Sequence, residues 1–148
     1  MVISVGADAP PVPGADTPGA HVLVFYKVTC GVTQMATPAI ERLAKAYPGR
    51  VVGVGQDPGE ALDAFAFEYG LSFPQVADLD PYDASNAYGI ASAPTAVLVD
   101  GAGVVADVAE SWDRDAWNRL SAGIARLVSV PPVTVSEPED GLPEFKPG

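Results

Sequence analysis

The chain has 148 residues, 48% of them apolar, with a single cysteine, Cys30, and a single histidine, His21. That length suits one domain, and that apolar share suits a packed core rather than disorder. One cysteine and one histidine exclude an internal disulfide, a disulfide-framed module and a structural zinc site, which takes about four such ligands. A net charge of −11, from 8 Lys+Arg against 19 Asp+Glu, argues against nucleic acid and anionic membrane surfaces, since both are bound through cations.

Residues 1–20 carry Pro10, Pro11, Pro13 and Pro18. They read as an extended N-terminal segment, because proline fixes φ and donates no hydrogen bond. Met1–Val5 has no basic n-region and no long apolar stretch, so no signal peptide is expected, and a soluble cytoplasmic protein with a reduced thiol is the default. No apolar run approaches the about 20 residues of a spanning helix.

Residues 21–128 read as the folded domain. His21–Tyr26 is a continuous apolar run, the pattern of a strand covered on both faces. Residues 33–47 place Ala36, Ile40, Leu43, Ala44 and Tyr47 at helical spacing and stop at Pro48-Gly49. Residues 50–55 form a second buried strand. Residues 58–69 open at Pro58 and set Leu62, Phe65, Ala66 and Tyr69 on one helical face. Thr95–Val99 is a third strand, and Asp100-Gly101 turns it into a fourth at Val104–Val108. Asp113 is placed as the N-cap of a closing helix whose core stripe is Trp117, Leu120, Ile124 and Leu127. Residues 129–148, with five prolines, read as an extended, wrapping or loose tail, and its acidic run Glu137-Pro138-Glu139-Asp140 as a solvated segment. The order β-α-β-α-loop-β-β-α predicts an α/β domain. Its first two strands run parallel with a right-handed crossover, and a mixed sheet of about four to five strands carries helices on both faces.

Chemistry concentrates at Cys30, between the first strand and the first helix. A helix N-terminus carries partial positive charge and unpaired N–H groups, which favour a thiolate, the nucleophilic form. The bland alternative is a buried, inert thiol. Other signals are weaker. Gly53-Val54-Gly55 lacks the strand-to-helix GxGxxG of a nucleotide site. Asp78, Asp80 and Asp83 lack the glycine and terminal glutamate of a calcium loop and suit a turn-forming acidic loop. His21 has no evident catalytic partner and reads as structural, and no Gly-x-Ser-x-Gly elbow is present.

The run Val24-Phe25-Tyr26-Lys27-Val28-Thr29-Cys30-Gly31-Val32-Thr33 resembles the active-site segment of thioredoxin-like proteins. Pro38 matches their kinked first helix, and Ala93-Pro94-Thr95 resembles their cis-proline loop. Gly6-Ala7-Asp8-Ala9-Pro10, Val52–Asp57, Tyr69–Pro74 and Ala87–Ile90 resemble the redoxin/TlpA-like, AhpC/TSA-related branch. The likeness runs from about residue 5 to 128.

This resemblance implies a thioredoxin-like fold, thiol–disulfide exchange in redox homeostasis, and no cofactor or metal. It implies that Cys30 is the nucleophile and that Ala93 and Pro94, with Thr29, Gly31 and Val32, contact the partner. That partner would be a thiol or a disulfide-bearing protein, or a low-molecular-weight thiol. On sequence alone Pro94 is only a loop breaker; the resemblance implies a cis bond facing Cys30 and a short backbone pairing with an extended peptide. The dithiol members carry C-x-x-C, whereas here the last position is Thr33. A monothiol can form a mixed disulfide but needs an external thiol to resolve it. Thr33 is placed either to donate a hydrogen bond to the Cys30 sulfur or simply as a first-turn helix residue. Val24 occupies the place where some relatives bury an acid.

Two alternatives remain. One is a one-cysteine, peroxiredoxin-like peroxidase passing through a sulfenic acid. The related peroxidases' threonine and proline correspond here to Lys27 and Leu23. The other is a binding module of the same fold with no turnover.

Overall fold

The computed structural model describes residues 1–148. In chain order its elements are β1 (His21–Tyr26), α1 (Gly31–Ala46), β2 (Val51–Gly55), α2 (Gly59–Tyr69), β3 (Gln75–Ala77), α3 (Asp83–Ala87), β4 (Thr95–Val99), β5 (Val105–Ala109), β6 (Trp112–Asp113), α4 (Arg114–Leu127) and β7 (Phe145–Lys146). The central sheet has five strands in the order β3-β2-β1-β4-β5. β1 pairs parallel with β2 and antiparallel with β4. The fold is therefore the α/β, thioredoxin-like arrangement, with a mixed sheet.

Both faces of the sheet are covered, which is why its inner strands are apolar without alternation. Val22, Val24 and Tyr26 of β1 point into the larger core with α1, α2 and α4. Leu23 and Phe25 point the other way, into a core closed by Val12 of the N-terminal segment and by Ala84 and Tyr88 around α3. Gly53 and Gly55 serve this packing. A Cβ on Gly53 would stand 2.9 Å from Tyr26 Cε1 and 3.0 Å from Phe73 Cε2, and one on Gly55 would run into Leu62. The GxG pattern thus makes room for Tyr26 beneath α2.

Local signals act as expected at several ends. Asp113 caps α4, accepting from Ala116 N–H at 3.2 Å. Asp100 organises the β4–β5 turn by accepting from Ala102 and Val104 N–H. Asp78 is buried and spent on α3, accepting from the N–H groups of Ala84 and Ser85 and from the Ser85 hydroxyl.

The C-terminal segment wraps the domain; Glu137, Pro138 and Glu139 of its acidic run are exposed, and Asp140 alone departs from the solvated segment expected there. Val135 and Ser136 are buried. Asn118 Oδ1 accepts from Val135 and Ser136 N–H, and its Nδ2 donates to Ser136 O. The buried Arg114 donates to Ser136 Oγ at 3.1 Å and to Leu142 O at 2.6 Å. Asp140, in the run read as solvated, is held below the usual carboxylate range by the Leu142 N–H, the Ser136 hydroxyl, Arg42 and Arg114. Prolines do not loosen this strap, because its hydrogen bonds go mostly to side chains of α4 rather than to a ladder.

Tyr88 ties the N-terminal segment to the sheet. Its hydroxyl donates to Pro10 O at 2.6 Å, and burial pushes its pKa up to about 12. The fold favours the neutral phenol, so this contribution is full below pH 10 and is lost as pH rises from 10 through 12. Tyr88→Phe is expected to cost about 1 kcal/mol at neutral pH and to lessen the alkaline loss, measured by urea unfolding across that range.

Candidate functional site

Sheet topology alone brings the site together. β1 and β4 are antiparallel neighbours with Phe25 opposite Thr95. The chain leaving β1 therefore lies beside the chain entering β4, and Cys30 meets Ala93-Pro94. Cys30 occupies the N-cap position of α1 (φ −80°, ψ 118°) but caps nothing with its side chain. Its Sγ instead donates to Ala93 O at 3.5 Å. The thiol is half-buried, Pro94 is buried, and the Ala93–Pro94 bond is cis, as is Asp80–Pro81.

Two side chains from separate elements fix the loop before the cysteine. Asp57, just past β2, accepts from Val28 N–H at 2.9 Å. Gln34, in α1, donates from Nε2 to Val28 O at 2.9 Å. Both polar groups of Val28 are thus held two residues before the thiol. Cys30 N–H donates to Lys27 O, and Cys30 O accepts from Gln34 N–H, starting the helix. A nucleophile on so constrained a turn is positioned before any partner arrives.

Thr33 stands apart from this arrangement. Its hydroxyl is buried and has no hydrogen-bond partner, so the bond to the Cys30 sulfur is absent. The reason lies in the helical rotation. Thr33 is on the inward stripe of α1 and lines a small internal cavity of about 10 Å³ with Val24, Tyr26, Thr37 and Phe65. Thr29 and Gly31 are exposed beside the cysteine, and Val32 is half-buried against the larger core.

A cavity of about 230 Å³ opens on Cys30, lined by Tyr26, Lys27, Gln56, the Ile90–Ala93 loop and Gly148. Lys27 is its only charged side chain. Burial, and then the charge of Asp57, hold the Tyr26 hydroxyl well above the usual tyrosine range, so it stays protonated. It is a neutral group and no base.

Gln34 was not singled out from sequence, and Gln56 and Asp57 were quoted only within the Val52–Asp57 run, without a site role. The signal for Asp57 and Gln56 was present: both follow β2, and parallel neighbours end on the same side of a sheet, where ligand sites gather. Gly148 carried no such signal.

A family model described as the AhpC/TSA family matches residues 7–108. The thioredoxin-like protein YneN of Bacillus subtilis is 33% identical over 100 residues, which cover 63% of this chain and 58% of that protein. The chain therefore spans less than two thirds of that relative. Among solved structures, Mycobacterium tuberculosis DsbF superposes with a TM-score of 0.61 at 28% identity, covering 72% of this chain and 81% of that one. A secreted M. tuberculosis disulfide oxidoreductase homologous to E. coli DsbE gives 0.62 at 22% identity, covering 84% and 96%. The latter likeness is one of fold.

The Val28 clamp is testable. Asp57→Ala leaves the Val28 N–H without its acceptor and is expected to cost about 1 kcal/mol in urea unfolding and to slow alkylation of Cys30. Asp57→Asn, which keeps an acceptor oxygen, is expected to restore both.

Proposed function

This chain belongs to the AhpC/TSA family, and we propose that within it the protein acts as a monothiol thiol–disulfide oxidoreductase through Cys30. The observation that carries this is the Cys30 sulfur at the start of α1, 3.5 Å from Ala93 O and open to a cavity. The relatives' names support the coarser chemistry: a thioredoxin-like protein and disulfide oxidoreductases.

In the first step the Cys30 thiol loses its proton, and the thiolate attacks one sulfur of a disulfide R–S–S–R. The Cys30 S–S–R bond forms, the old S–S bond breaks, and the departing R–S⁻ takes up a proton. No second cysteine exists in the chain to resolve the adduct. An external thiolate attacks the mixed disulfide, carries R away as a new disulfide, and returns Cys30 as a thiolate. The partner, a thiol or a disulfide, contacts Thr29, Gly31 and Val32 on one side and the Ala93-Pro94 loop on the other. A low-molecular-weight thiol such as glutathione supplies the resolving thiolate.

A peroxidase has less support. Leu23, where the related peroxidases carry a proline, is buried in the second core, and the Lys27 side chain is exposed. Leu23 therefore does not shield a peroxide at Cys30, and Lys27, which lines the cavity, offers an exposed ammonium in place of the threonine hydroxyl.

Glutathione-dependent reduction of a model disulfide tests the proposal. Wild type is expected to accelerate it, and Cys30→Ser to abolish the acceleration. Thr33→Cys, which restores the C-x-x-C spacing, is expected to release the mixed disulfide once without external thiol by closing an internal disulfide, while glutathione is still needed to reduce that disulfide for each further turnover. If wild type and Cys30→Ser perform alike, Cys30 has no exchange activity.

A further inference from the structure

Residues 143–148 of the C-terminal strap reach the site. Beyond Leu142 the strap is held at each step: Trp112 Nε1 donates to Pro143 O at 2.7 Å, and Arg114 N–H donates to Glu144 O at 2.9 Å. Phe145 and Lys146 then form β7, antiparallel to Asp113 and Trp112 of β6. Gly148 N–H donates to Ser111 Oγ at 3.3 Å, and Ser111 Oγ donates to Ser92 Oγ at 2.9 Å. Ser92 immediately precedes Ala93, so two serine hydroxyls link the strap to the loop that faces Cys30.

The approach is close. A Cβ built on Gly148 would run into Ala93 O and stand 2.7 Å from Ala93 C and 3.1 Å from its N. The residue-148 backbone therefore lies directly on the Ala93 peptide unit. That peptide unit is where the backbone of an extended polypeptide would pair. What remains open beside the sulfur is the cavity of about 230 Å³, below the roughly 300–1,000 Å³ of sites that enclose drug-sized ligands.

From the exchange chemistry proposed above, we infer that residues 143–148 set the substrate class of Cys30: the strap occupies the polypeptide position on Ala93 and leaves the thiol to low-molecular-weight disulfides. The reaction is unchanged. Cys30 forms the mixed disulfide with one half of the small disulfide, and the other half leaves as a thiol. A polypeptide disulfide reacts only in the fraction of molecules whose strap has lifted, and its apparent affinity falls by that fraction.

The test compares second-order rates of mixed-disulfide formation at Cys30, read by intact mass, for hydroxyethyl disulfide and for a ten-residue peptide bearing a central cysteine disulfide-linked to mercaptoethanol. Wild type is expected to favour the small disulfide by about tenfold or more. The double variant Phe145→Pro/Lys146→Pro removes the Lys146 N–H that faces β6 and fixes φ at both residues, which frees the strap. It is expected to speed the peptide about tenfold while leaving hydroxyethyl disulfide within about twofold. Ser111→Ala, which cuts the link to Gly148, is expected to shift the ratio in the same direction by less. Thermal unfolding of each variant verifies the fold. Equal rates for both disulfides in wild type, or an unchanged ratio in both variants, overturns the inference. A different result overturns the exchange chemistry itself: neither disulfide reacting with folded wild type faster than with the chain unfolded in urea.

Discussion

The antiparallel pairing of β1 with β4 is the constraint on which the site depends. It sets Phe25 opposite Thr95 and so lays the residues after Tyr26 against those before Thr95. The 3.5 Å hydrogen bond from the Cys30 sulfur to Ala93 O is made possible by that register. A one-residue slip would turn Val22, Val24 and Tyr26 out of the larger core and Leu23 and Phe25 out of the smaller one. Because both faces are buried, the register is held by two cores at once. Hydrophobic burial along β1 thereby fixes the position of a nucleophile four residues beyond it.

On that base the loop needs little more. Asp57 and Gln34 hold the two polar groups of Val28 from opposite sides, one from the end of the parallel neighbour strand and one from the helix. Val24 and Thr33 lie in the interior beneath α1, where a small cavity separates the unpaired hydroxyls of Tyr26 and Thr33. Nothing there serves as a base or a second thiol. The chemistry is carried by a single sulfur and by backbone groups on the facing loop.

Much of this was legible in the sequence, for physical reasons. The apolar runs at His21–Tyr26 and Thr95–Val99 could only be strands covered on both faces, and Asp113 stood where a helix needs a cap. Short elements were not legible. β3 has three residues and α3 five, too few to display a period, and α3 is held by Asp78 from outside its own span. The orientation of Thr33 was also hidden, since spacing along a helix start places it near Cys30 but packing decides which way it turns. Where the strap docks was hidden for a related reason. Its prolines and acids look solvated, yet Arg114 and Asn118 reach out of α4 to bind its backbone, and those partners lie 17 to 28 residues away. The Asp-rich stretch from residue 78 to 83 was read as turn-forming, and its first member proved to be the buried group that secures α3.

The central claim is that the fold, rather than the bare thiol, makes Cys30 a nucleophile for disulfides. It is tested most directly by comparing one chain with itself. The second-order rate of mixed-disulfide formation with a small disulfide is measured for the native protein and for the same protein unfolded in urea. The rates are compared at equal pH, and the adduct is confirmed at Cys30 by mass. The account predicts that the native chain reacts at least about tenfold faster. A native rate equal to or below that of the unfolded chain would contradict it and leave Cys30 an ordinary half-buried thiol.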